Sequence, residues 1–171
     1  MEITERLTAL TQQAESTIQI IRKISQELRP SILDDLGLIS AIDWLKEQYN
    51  QRTDIHFTMD MPKNEVKIKG EHATAIFRIT QEALTNIMRH AKAQNVNIKI
   101  KLENSEIVLI IKDDGKGIKD IKKDRSEHTF GVFGMKERAN SLGGKLIINN
   151  NIKKGTSVNL ILPYKQKQET T

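Results

Sequence analysis

Glu82, Asn86 and His90 recur every four residues with Arg89 alongside, so a helix carrying them would hold a carboxylate, an amide, an imidazole and a cation along one stripe. Ile76, Ile79, Ala83, Ile87 and Ala91 form the apolar stripe beside it, which sets the polar groups at the edge of a core, where a cleft would be lined. Taken alone, the same stripe is a solvated helix face. A second group is Asp113-Asp114-Gly115-Lys116-Gly117-Ile118. Its glycines permit close backbone approach, and its carboxylates can accept from a ligand amine or orient water. The same letters also make an ordinary Asp-Gly turn, and they lack the third glycine of a dinucleotide fingerprint and the Gly-Lys-Ser/Thr of a Walker loop. Third, Gly131-Val132-Phe133-Gly134 stands where a charged loop passes into a helix. N–H groups at a helix start can hold phosphate and the preceding loop can act as a lid, although capping glycines would read alike. Gly155-Thr156 adds a small residue and a hydroxyl before the last strand.

The elements that must position these groups follow from periodicity. Ile3, Leu7, Leu10, Ala14, Thr17, Ile21, Ile24 and Leu28 alternate spacings of four and three, the seam of one long helix whose partner is another chain or a missing segment. Pro30 closes it, residues 31–37 read as a connector, and a helix over 38–51 presents Leu38, Ile42, Leu45 and Tyr49 on one face. Alternation at Ile55, Phe57 and Met59 predicts a half-buried strand over 54–60. The site helix spans 71–93. Strands at 96–102 and 107–111 form a hairpin across Glu103-Asn104-Ser105, and the aperiodic stretch 119–128 is a loop. A helix over 132–142 stops at Gly143-Gly144, and strands at 145–149 and 157–162 pair with each other. The polar tail 164–171 frays. Helices and antiparallel strands without regular βαβ alternation make an α+β fold, a two-layer sandwich of a mixed β-sheet with helices on one face, preceded by the long N-terminal dimerisation-type helix.

Composition narrows the partners. At 171 residues the chain can bury one core with an appendage, not two large domains. There is no cysteine, hence no disulfide framework or thiolate metal site, and a cytoplasmic setting fits. No apolar run reaches a membrane span, so no membrane contact is expected of this segment. The net charge of +5 favours anionic partners, but the lysines are interspersed with acids and aromatics are only 4%, which argues against nucleic acid.

In this order the four groups resemble the ATP-binding domain of sensor histidine kinases, in the wider family that includes gyrase, the Hsp90 chaperones and the MutL repair proteins. The nitrate-sensor-like subfamily typically shows Gln-Glu-Ala-Leu-Thr-Asn followed by His-Ala, as Gln81 to Asn86 and His90-Ala91 do here. The likeness covers residues 54–163. Leu28-Arg29-Pro30 and Leu33-Asp34-Asp35-Leu36-Gly37-Leu38 also look like the end of the subfamily's dimerisation domain and the start of its catalytic domain. It implies a partial dimerisation/phosphotransfer domain in 1–30 (its second helix), a connector and first catalytic-domain helix in 31–53, and the ATP-binding domain in 54–163.

The resemblance implies cofactors ATP and Mg²⁺. Asn86 would hold the metal; Asp113 would accept from the adenine amine; Gly115 and Gly117 would let the backbone pass near the nucleotide; Gly131 and Gly134 would anchor the lid; Thr156 would support the adenine side. Arg89 and His90 would lie near the phosphates, and Glu82 matches the water-activating acid of ATPase relatives. A departure is Thr129, where many relatives have a small lid residue. The phosphoacceptor histidine is expected in a His-Asp motif on the first dimerisation helix, and none of His56, His72, His90 and His128 fits it. The expected function is therefore transfer of the ATP γ-phosphoryl group to a histidine absent from this chain, without autokinase activity by the fragment. The expected partners are a missing or separate phosphoacceptor helix, a response regulator, and a second copy through the N-terminal helix in the full-length protein. The alternative is a stand-alone ATP-binding regulator like the anti-sigma-factor serine kinases.

Overall fold

A computed structural model describes residues 31–62, 68–118, 128–151 and 154–164. The heptad seam, the loop over 119–127 and the tail after Tyr164 lie outside the described residues. The elements are α1 (Ser31–Asn50), β1 (His56–Asp60), α2 (Gly70–Asn86) running into a π-helical turn (Ile87–Ala91), β2 (Asn95–Glu103), β3 (Glu106–Asp113), α3 (His128–Ser141), β4 (Lys145–Asn150) and β5 (Thr156–Pro163).

The five strands form one mixed sheet in the order β1-β2-β3-β5-β4, with β1 parallel to β2 and every other pair antiparallel. The expected hairpin is β2-β3. Its tip, Asn104-Ser105, has both residues at positive φ (52° and 61°), the geometry of the two-residue turns that match strand twist. The register aligns Ile98 with Ile111 and Ile100 with Leu109, then Ile111 with Val158 and Leu109 with Leu160, and Leu160 with Leu146. Because strand side chains alternate faces, these residues share one face of the sheet. They are buried in the same apolar cluster as Leu38 and Ile42 of α1, Ile76 and Ile79 of α2, and Met135 and Ala139 of α3. The expected two-layer α+β sandwich is the observed fold.

Three expectations are corrected. Residues 31–37 are helical: Leu33 is buried like Leu38, and α1 is two helical pieces meeting at Gly37 (φ 72°, ψ 172°), a left-handed value that glycine adopts cheaply. The site helix is not regular to residue 93, since its α-helical part ends at Asn86, a π turn follows, and Lys92 turns left-handed (φ 51°). The glycine-punctuated helix starts at His128, four residues earlier than its periodicity suggests. Its end is as expected. Gly143 (φ 68°) takes the left-handed position, and the N–H groups of Gly143 and Gly144 donate to the carbonyls of Asn140 and Ala139 at 2.9 Å, closing the helix with a Schellman motif.

Candidate functional site

Asp113 continues the inward alternation of Ile107, Leu109 and Ile111 and pairs with Val96 across the hairpin. A carboxylate therefore occupies the last position of an apolar row, and only 5% of the residue is exposed. One of its oxygens accepts from the Gly115 N–H at 2.8 Å and the other from the Thr156 N–H at 3.1 Å. The Thr156 hydroxyl bonds the carboxylate as well, and the four acceptor sites of a carboxylate still leave room for a ligand donor. Burial pushes the Asp113 carboxyl above its ordinary pKa, and the N–H bonds from Gly115 and Thr156 partly oppose it.

The backbone around Asp113 is tied down by Asn150 and Asn151, which motif reasoning did not single out, and by Gly155, which it did. Asn151 donates through Nδ2 to the carbonyls of Asp113 (2.9 Å) and Thr156 (3.1 Å). Gly155, at φ 89°, lies against the Asp113 carbonyl where a Cβ would collide. Asn150 clamps Ile118 by both backbone groups, at 2.7 and 3.0 Å, and leaves no room for a Cβ on Gly117 (φ 75°). The signal for these roles was the run Asn149-Asn150-Asn151, since asparagine side chains readily bond nearby backbone.

Asp114 has a different task from the one its sequence suggested. Its carboxylate accepts from the N–H groups of Gln94 and Asn95 and from Asn95 Nδ2, at 2.8, 2.9 and 2.8 Å. Those bonds, led by the Asn95 side chain, hold its pKa below the usual carboxylate value. It fastens the Asp-Gly loop to the start of β2.

The same loop meets the end of the site helix. Lys116 donates its N–H to the Ala91 carbonyl at 2.8 Å, and Gly115 is packed so closely on Ala91 that a Cβ would overlap that carbonyl. One turn back, Asn86 Nδ2 lies 3.3 Å from Glu82 Oε1. From the other side α3 reaches the same carboxylate, because a Cβ on Gly131 would run into Glu82 Oε1. Gly134 lies inside α3 and its carbonyl accepts from Arg138 Nη1 at 2.9 Å. Only the first turn of α3 has N–H groups that the helix itself leaves unpaired, so Gly131 serves chiefly as space for Glu82 and Gly134 is within the helical ladder.

The structure thus joins Asp113, Gly115 and Thr156 in one cluster and Glu82, Asn86 and Gly131 in another, linked through Ala91. Arg89 and His90 stand exposed on the π turn, whose wider winding takes them off the regular four-residue stripe. Arg138 was missed as a site residue. It is half-buried between helices, with its pKa lowered by burial first and by nearby Arg78 next, and raised by Glu82.

The arrangement fits a nucleotide. A recessed carboxylate can take a base amine, and the Asn86 amide, with its nitrogen turned to Glu82, has its carbonyl oxygen for a cation. Among the described residues no three His, Cys, Asp or Glu side chains gather around a common point. A single amide oxygen suits Mg²⁺, which keeps waters and takes phosphate oxygens. Among the described residues no helix is long and apolar enough to cross a membrane.

Comparison with known proteins gives the same picture. Residues 71–166 match the family described as histidine kinase-, DNA gyrase B-, and HSP90-like ATPase. The chain is 33% identical over 162 residues to the signal transduction histidine-protein kinase/phosphatase DegS of Brevibacillus brevis, covering 95% of this chain and 42% of that protein. It is 35% identical over 147 residues to the oxygen sensor histidine kinase NreB of Staphylococcus carnosus, covering 85% of this chain and 42% of that one. The chain therefore spans about two fifths of the length of these relatives. The ATP binding domain of PrrB from Mycobacterium tuberculosis has a similar fold, with a TM-score of 0.57 at 18% identity over 71% of this chain and 88% of that one.

Proposed function

Because the chain belongs to the histidine kinase-, DNA gyrase B-, and HSP90-like ATPase family, we propose that it binds ATP with Mg²⁺ as the catalytic part of a sensor histidine kinase. The observation that carries this reading is Asp113, a recessed carboxylate at the end of the apolar face that still has acceptor capacity for a ligand donor. It accepts from the adenine amine and repels guanine, which presents a carbonyl oxygen at the same position. Thr156 fixes the Asp113 carboxylate through its N–H, and Gly115 and Gly117 keep the loop close to the base. Asn86 binds Mg²⁺ by its carbonyl oxygen, and the metal, when bound, neutralises phosphate charge. Arg89 and His90 lie on the phosphate side of Asn86, and Gly131 gives Glu82 its space beside Asn86.

Phosphoryl transfer depends on positioning and electrostatics more than on covalent chemistry by the protein. The acceptor is a histidine on a separate helix, since His56 is on β1, His72 bonds the Pro163 carbonyl at 2.9 Å, His90 is on the π turn and His128 opens α3. A response regulator takes the phosphoryl group next, the kinase pairs with a second copy of itself, and the setting is the cytoplasm. The test offers γ-labelled ATP to this chain with and without a separate chain bearing an acceptor-histidine helix. Acid-labile label on the second chain, and none on this chain alone, is the expected result. Acid-stable phosphoserine on a partner would replace this reading with a stand-alone serine kinase.

A further inference from the structure

We propose that Glu82 is a positioning residue for Asn86: its carboxylate holds the Asn86 amide by the nitrogen, so that the amide presents oxygen to a cation. The inference rests on the reading of the site as one for Mg-ATP. An amide has two nearly isosteric ends, and only the oxygen can ligate a metal. Asn86 and Glu82 are one helical turn apart, the spacing at which such side chains meet, and the Nδ2 to Oε1 distance is 3.3 Å.

Two features keep Glu82 in place. Gly131 supplies the space its carboxylate occupies, with no Cβ to displace it. On the same side Arg138, tied to the Gly134 carbonyl, is within electrostatic reach of Glu82. A carboxylate so placed offers an oxygen to the amide N–H₂ and leaves the amide oxygen facing away from it. A neutral imidazole attacks phosphorus with a nitrogen lone pair, so transfer to histidine requires no carboxylate to strip that atom of a proton. Glu82 is thus assigned to orienting the metal's amide ligand rather than to activating water.

The experiment measures ATP affinity of the 171-residue chain by calorimetry, in MgCl₂ and in EDTA, for the wild type, Glu82→Ala, Glu82→Gln and Gly131→Ala. Thermal unfolding reports whether each variant is folded. In EDTA all four should bind ATP alike. The gain in affinity on adding Mg²⁺ should fall about 10–100-fold in Glu82→Ala, the usual cost of losing a group that orients a metal ligand. It should fall in Gly131→Ala, where the new Cβ pushes the carboxylate away. Glu82→Gln, whose amide oxygen still accepts from Asn86, should keep it. A full Mg²⁺ gain in Glu82→Ala would overturn the proposal, as would a loss in Glu82→Gln equal to that in Glu82→Ala, which would make the charge itself a metal ligand. If Glu82→Ala fails to fold, Gly131→Ala and Glu82→Gln decide by the same criteria. Wild-type affinity that ignores Mg²⁺ overturns this proposal and leaves the nucleotide reading standing, whereas no ATP binding in either buffer defeats the nucleotide reading itself.

Discussion

Asp113 and Asp114 are neighbours with the same side chain and opposite environments. Asp113 faces inward, and burial raises its pKa; Asp114 faces outward, and donors from Asn95 and Gln94 lower its pKa. The two therefore respond to acid with opposite signs. A carboxyl whose folded pKa is raised binds its proton more tightly in the folded chain, so acidification through that pKa, down to the unfolded value, adds stability. For Asp114 the contribution is complete above the unfolded-chain pKa and is lost as pH falls through the lower folded one. Asp113→Asn cannot titrate. Its unfolding free energy, followed by urea denaturation from neutral into acid buffer, should lose ground to the wild type as pH falls through the raised Asp113 pKa. A difference that stays constant with pH would contradict the assignment of Asp113 as a desolvated, titrating carboxylate.

Among the elements, β3, the Asp-Gly loop and the turn after α2 behave as one unit, because Asp114 pins the loop to β2 while Gly115 and Lys116 rest on Ala91. Asp114→Ala removes three hydrogen bonds at once. Since the carboxylate is solvated, the cost should be only about 1 kcal/mol, read as a lower urea midpoint at neutral pH, and the difference from wild type should vanish in acid once Asp114 is protonated. The strands and their pairing were legible because alternation such as Ile98-Lys99-Ile100 has a period of two that helices lack. The π turn was not legible. Ile87 and Ala91 are both buried, as a regular helix would also have them, so their apolar spacing does not announce the wider winding. The start of α3 was missed for a similar reason, since Gly131 and Gly134 read as loop residues. Glycine is weakly disfavoured in a helix, but at 131 the need for space beside Glu82 overrides that preference.

For the whole molecule, the fold and the motif order were readable from the letters, since one apolar face on a five-stranded sheet and helices with a 3–4 period leave few ways to pack. What could not be read was how the motifs meet: Asn151 bridging Asp113 to Thr156, and Gly131 of α3 touching Glu82 of α2, are contacts between distant segments. Their joint consequence is a nucleotide site whose base end and metal end are held by different elements. Asp113→Asn acts on one end alone. It places an N–H₂ group where the adenine amine needs an acceptor, so calorimetric titration with ATP in MgCl₂ should show affinity reduced by about a hundredfold, the cost of a lost charge-assisted hydrogen bond, with the far-UV circular dichroism of the wild type retained. ATP affinity equal to that of the wild type in a folded Asp113→Asn chain would contradict the site.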